Sequence, residues 1–200
     1  MWQIFFHQGA LPPNTSCMAD GTQEDYLIQH ELSKQLHAAL ADRVLTELVG
    51  LQESSPANLI SRYEHSLQTA TRALRDGADE ETVVAALLHD IGDLMAPSNH
   101  SAIPAEILRP YVSPSTCWMV EHHGIFQGYY FWHYLGGDRN AREKFRDHSD
   151  FERTVDFCHR WDQESFDPNY DALPLSVFEP MVRHIFAREP WGEHTKLRRL

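Results

Sequence analysis

The stretch Val83-Val84-Ala85-Ala86-Leu87-Leu88-His89-Asp90-Ile91-Gly92-Asp93 decides how this chain of 200 residues reads. Asp79, Glu80 and Glu81 precede it, and acidic residues there favour a helix N-terminus. Gly92 offers a stop. A helix is therefore expected from near Asp79 to His89–Asp90, with an apolar body and a polar pair at its carboxyl end. At a helix end, two adjacent side chains can reach one metal ion, and the second oxygen of the carboxylate can bridge another. Alone, the dipeptide is equally an ordinary helix terminus, so its meaning depends on the rest of the chain.

Upstream, Leu27, Leu32, Leu36, Leu40, Val44, Leu45 and Leu48 recur at helical intervals and Gly50 can end the run, giving one long or broken helix over about 23–51. The next helix is expected from Ser55, a capping residue, and Pro56, suited to a first helical position, through Arg62–Leu74 to Gly77. His65 then sits mid-helix. Downstream, 93–104 reads as a loop containing His100. Ser113–Pro114 opens a helix that Gly124 is expected to close, just after His122–His123. The aromatic run Tyr129, Tyr130, Phe131, Trp132, Tyr134 ends at Gly136–Gly137, and helical patterns follow over 139–147, 150–165 and 174–187. Strand alternation and fixed repeats are not evident, so the expected fold is all-α: a poorly ordered extension over 1–22, one helical-bundle domain over 23–190 and a tail over 191–200.

Composition narrows the function. A chain with 42% hydrophobic and 23% charged residues suits one globular domain. Its 17 basic and 29 acidic residues leave a formal charge of −12, which argues against nucleic acid or an anionic membrane as partner. A small anionic substrate remains compatible, because a pocket can gather a few cations locally. Cys17, Cys117 and Cys158 are odd in number and form no CxxC pair, as expected in a reducing compartment. Without a long apolar run or a secretory leader pattern at the start of this sequence, a cytoplasmic location is expected. The 13 histidines supply an unusual stock of metal ligands and acid–base groups.

Ligands on helices must converge from several of them, since successive residues point about 100° apart. His65 lies in Tyr-Glu-His-Ser-Leu-Gln, on a different helix from His89–Asp90, and Asp162 lies far downstream in His-Arg-Trp-Asp-Gln. In order and spacing, EHSLQ (64–68), ALLHDIGD (86–93) and RWDQ (160–163) resemble the HD superfamily, over about 55–165. The resemblance implies a metal centre held by His65, His89, Asp90 and Asp162, with Asp90 central to catalysis. His100 and His123 stand where a subgroup, the mixed-valent di-iron oxygenases, carries two further histidines. His122 competes with His123, because adjacent helical residues do not share a face.

The segments HHGIFQGYYFWH (122–133) and SFDPNYDALPLSVFEP (165–180) are similar to phosphonate-degrading oxygenases acting on 1-hydroxy-2-(trimethylammonio)ethylphosphonate or 2-amino-1-hydroxyethylphosphonate, over about 30–187. Myo-inositol oxygenase is a more distant likeness. That resemblance implies two iron ions, Fe(II)/Fe(III), and O₂-dependent cleavage of a C–P bond to phosphate and a carboxylate. Asp93 departs from it, standing where those oxygenases carry a cation or histidine near substrate. Candidate substrate contacts are Arg160, Gln127, Tyr130 and Lys144. The aromatic run can be a cation–π cage or core, and Arg139, Arg142, Lys144 and Arg146 a phosphonate clamp or a solvated face. Two other readings stay open: a phosphohydrolase using one divalent ion such as Mn, Mg or Co, and a non-catalytic domain stapled by its metal.

Overall fold

A helix that is apolar all round finds its free-energy minimum inside a protein, and α4, Glu80–Leu88, does so here: every residue from Thr82 to Leu88 is buried. Asp79 caps it by accepting a hydrogen bond from the Thr82 amide at 2.7 Å. Around α4 pack α3 (Arg62–Arg75), α6 (Pro114–Phe131) and α8 (Leu175–Phe186). In this computed structural model residues 16–54 and 58–196 are described. Most of the expected N-terminal extension, the expected cap at Ser55–Pro56 and the last four residues of the tail lie outside them. Among the described residues there is no strand, so the fold is all-α, and no helix is long and apolar enough to cross a membrane.

The chain divides into two compact units, residues 1–42 and 43–200. In the first, α1 (Gln23–Ala38) starts at a capping box: the Thr22 hydroxyl accepts from the Asp25 amide at 3.2 Å, and the Thr22 amide donates to the Asp25 carboxylate at 2.9 Å. The pattern over 23–51 is a broken helix. Its break is Ala39, and α2 runs from Leu40 to Gly50.

The second unit holds the remaining elements, and in four places its helices depart from expectation. Helix α3 begins at Arg62, because Ser61 and Glu64 form a reciprocal capping box that satisfies two otherwise unpaired amides. The loop over 93–104 passes into α5 at Ala102 (Ala102–Leu108). Gly124 does not end α6, which continues to Phe131. It serves close approach instead, since a Cβ there would lie 2.8 Å from Ser101 Oγ and 3.4 Å from the His100 ring. A 3₁₀ turn, Trp132–Leu135, follows, and it ends at Gly136, whose φ of 77° is the left-handed conformation a helix C-cap favours. Finally, 139–147 forms a short 3₁₀ turn, Ala141–Phe145, and 150–165 is α7 (Phe151–Phe157) followed by a π-helical turn, Cys158–Asp162.

Glu81 ties α4 to the residues after α8. Its carboxylate accepts from Arg188 Nη1 at 2.6 Å and from the Ser113 amide at 2.8 Å, while Arg188 also donates to the Tyr111 carbonyl. Burial pushes the Glu81 pKa up, but the Arg188 and Ser113 hydrogen bonds outweigh it and hold the group below its ordinary 4.5. A lowered native pKa means stability that is present above the unfolded value and is lost as pH falls through the native one. Glu81→Gln is expected to cost about 1–3 kcal/mol at pH 7, and urea unfolding should show the gap from wild type closing as pH falls below about 4. A gap independent of pH would refute the assignment.

Candidate metal centre

Three imidazoles are fixed by the same device. His65 Nδ1 lies 2.8 Å from the Ser165 carbonyl, His89 Nδ1 2.8 Å from Ala86 O, and His123 Nδ1 2.7 Å from Val120 O. A carbonyl can only accept, so each Nδ1 carries the proton and each Nε2 lone pair is turned inward. Phe166 stacks on His65 with centroids 4.4 Å apart, and Phe157 meets His89 edge-on at 5.6 Å, so packing holds the rings as well.

What those lone pairs face is more lone pairs. His65 Nε2 and His89 Nε2 are 3.2 Å apart. Asp162 Oδ1 lies 3.2 Å from His65 Nε2 and 3.6 Å from His89 Nε2, and Asp162 Oδ2 is buried with no hydrogen-bond partner. Asp90 turns Oδ2 to within 3.5 Å of both His65 and His89, and Oδ1 to within 3.2 Å of His123 Nε2 and 3.5 Å of His100 Nε2. Converging acceptors repel one another unless a cation lies among them. The donor set, nitrogen and carboxylate oxygen in buried groups of three (His65, His89, Asp162; His89, Asp90, His123), therefore fits a divalent metal. Burial disfavours a charge on His89, yet Asp90 and Asp162 raise its pKa. Likewise His89, His123 and His65 hold Asp90 well below the usual carboxylate range against its burial, and His65 and His89 do so for Asp162.

The local fold explains the convergence. His65 comes from the middle of α3, and His89–Asp90 follow the last turn of α4. His123 is on α6. Asp162 closes the π turn, in which the Gln163 amide reaches back to Cys158 O at 3.0 Å, and such turns are frequent at functional sites. His100 stands on the turn before α5, and Gly92 makes room for it, since a Cβ on Gly92 would collide with the His100 carbonyl oxygen and lie 2.9 Å from Ile103 Cβ. With its side chain 27% exposed, His100 marks the open edge of the centre, and burial lowers its pKa despite Asp90. His122 turns away: its ring stacks on Trp118 at 4.2 Å, and its Nδ1 faces the Trp118 carbonyl.

Of the expected substrate contacts, Gln127 reaches the centre, donating from Nε2 to Asp162 Oδ1 at 3.1 Å. Tyr130 lies one helical turn on, its hydroxyl 3.2 Å from His159 Nδ1, and burial raises its pKa. The other two make their contacts elsewhere. Arg160 pairs with Asp76 at 2.9 Å on the surface, and Lys144 lies over the Phe145 ring. A residue the sequence reading overlooked is Arg62, whose Nη1 is 3.4 Å from Asp90 Oδ2 and whose Nε donates to Asp93 at 2.9 Å. Asp93, conspicuous in the sequence as an acid beside the centre, thus anchors a cation brought in from α3. No local pattern announces a pairing across 31 residues.

Residues 62–159 match the HD domain family. The match supports the HD-domain superfamily for this chain, a class in which the fold and the buried histidines and aspartates indicate a metal-dependent enzyme. No curated protein matches it.

Chelation followed by readdition of Mn(II) tests the centre directly. A ligand bound only by the native state stabilises by about 2.7 kcal/mol at a hundred times its Kd, so the thermal midpoint should fall on chelation and recover on readdition in wild type, but not in His65→Ala or Asp162→Asn. An equal recovery in those variants would exclude these residues as ligands.

Proposed function

We propose that this chain is an iron- and O₂-dependent oxygenase that cleaves the C–P bond of a small hydroxylated organophosphonate, of the amino- or trimethylammonio-ethylphosphonate type, to phosphate and a carboxylate. The observation that carries it is the double-sided Asp90: one oxygen faces His65 and His89, the other His100 and His123. Donors on both sides of one carboxylate, with His65 and His89 facing one oxygen and His100 and His123 the other, suit two metal ions, where a single hydrolytic ion needs fewer ligands. Iron bound there would supply activation of O₂, the oxidant that accepts the electrons the substrate gives up.

The protein's own groups have separate tasks. His65, His89 and Asp162 hold the inner position, and His100 and His123 the outer one at the exposed edge. Gln127 keeps Asp162 oriented through its amide. Arg62, steadied by Asp93, supplies positive charge beside Asp90, favourable for an anionic substrate at the rim. Phe157 and Phe166 keep water from the inner rings. A net charge of −12 supports a small molecule over nucleic acid as partner, and the buried thiols of Cys117 and Cys158 support a cytoplasmic setting.

The HD domain match itself favours a second reading, a phosphohydrolase using a single divalent ion such as Mn, Mg or Co at His65, His89, Asp90 and Asp162. Anaerobic purification with iron analysis, EPR and O₂ consumption separates the two. Near two irons per chain, a mixed-valent signal and oxygen uptake on adding 1-hydroxy-2-(trimethylammonio)ethylphosphonate or 2-amino-1-hydroxyethylphosphonate are expected. One redox-inert ion with phosphatase activity and no uptake would replace the oxygenase with the hydrolase.

Gly92→Ala probes the outer position through the turn that carries His100. The added Cβ displaces the turn that carries His100, so affinity for the second iron should weaken by about tenfold, the scale of a perturbed ligand environment, while the first iron stays. Two irons held as tightly as in wild type would show that His100 is not a ligand.

A further inference from the structure

Away from the histidines, a second set of polar atoms is buried without partners. Arg139 Nε, Arg142 Nε and Arg142 Nη1 are inaccessible and make no hydrogen bond. Both guanidinium groups lie against one ring, that of Tyr129, at 4.2 Å for Arg139 and 3.9 Å for Arg142. A ring face attracts cations, but it leaves in-plane N–H groups unsatisfied. The nearest carboxylate to Arg142 is Glu143, with Oε1 3.9 Å from Nε, beyond hydrogen-bond reach. Glu143 Oε2 is engaged by Arg146. Between 139 and 146 four basic residues accompany this single acid, in a chain whose overall balance is strongly negative.

Two like-charged guanidiniums on one ring, with three unpartnered nitrogens, are a costly arrangement unless a negative group completes it. We infer that Arg139 and Arg142, seated on Tyr129, form a binding site for a tetrahedral oxyanion carried by a small molecule. A phosphate or phosphonate offers three oxygens, enough for one charge-assisted contact from each of the three nitrogens, and carries more negative charge than a carboxylate against two guanidiniums. The chain's net charge of −12 disfavours a polyanionic partner and leaves a small molecule as the carrier. Tyr129 lies on α6 six residues beyond His123 and beside Tyr130, and the charge of Arg142 acts on both the Tyr130 hydroxyl and the buried Cys158 thiol, which also feels Asp162. The oxyanion is either the phosphonate of the substrate proposed above or a free phosphate. The site itself rests on the arginines and not on the metal chemistry.

Titration calorimetry of inorganic phosphate into the full-length, metal-loaded protein tests the proposal, with thermal midpoints measured alongside. Saturable binding is expected, weakened by about tenfold or more in Arg142→Gln and in Arg139→Gln, the scale of one lost charged hydrogen bond, and unchanged in Arg146→Gln. Phosphate should raise the midpoint of wild type and leave that of Arg142→Gln where it is, a readout that also verifies that the variant folds. Absence of phosphate binding in wild type, undiminished binding in Arg142→Gln, or an equal loss in Arg146→Gln would each overturn it. Competition in turnover assigns the source: inhibition that raises KM alone identifies the substrate's own anion, and inhibition that lowers kcat at unchanged KM identifies a separate phosphate. Loss of the oxygenase reaction with phosphate binding intact would fault the proposed chemistry and spare the site.

Discussion

The second unit is built around a cluster of buried acceptors that outnumber the donors, Gln127 and Arg62, that reach them. Because Ser165, Ala86 and Val120 each take the Nδ1 proton of a histidine, the inner faces of His65, His89 and His123 present only lone pairs, and Asp90 and Asp162 add carboxylate oxygens to the same space. Bringing such groups together in a dry interior costs several kcal/mol per charge before any ion is bound. The surrounding helices offset that cost. The buried run Thr82–Leu88 of α4 and the capped start of α3 place His89, Asp90 and His65.

This explains why part of the architecture was legible in the sequence and part was not. The run Val83–Leu88 has one physical outcome, a buried helix, and the polar pair at its end had to lie where that helix stops. His65 and Asp162 could be joined to the pair through a resemblance, since the sequence does not encode their convergence locally. Ser55–Pro56 carries the commonest signal of a helix start, while Ser61 and Glu64 offer a stronger, reciprocal one six residues later. Gly124 looks like a stop because glycine so often follows a helix. Its actual reason is space for Ser101 and His100, a tertiary constraint that no single segment displays.

The two halves of the cluster differ in how they are held. His65, His89 and Asp162 come from helices and are almost wholly buried, while His100 is on a turn at the rim, near Arg62. A turn moves without disturbing core packing, and a helix interior does not. The charges follow the same division: acids lie within, and Arg62, tied down by Asp93, guards the opening. The Asp93 anomaly in the sequence is thus half of a pair whose other half lies 31 residues earlier.

The π-helical turn Cys158–Asp162 has an evolutionary reading. It accommodates one more residue than an α-helical turn, so Asp162 points about 100° away from where regular winding would send it. Loss of a single residue here would restore regular winding and swing the carboxylate off the centre, with the helix still able to form. A lineage could therefore lose the chemistry and keep the fold in one genetic event, which makes the length of this segment more telling about activity than the identity of most residues in it.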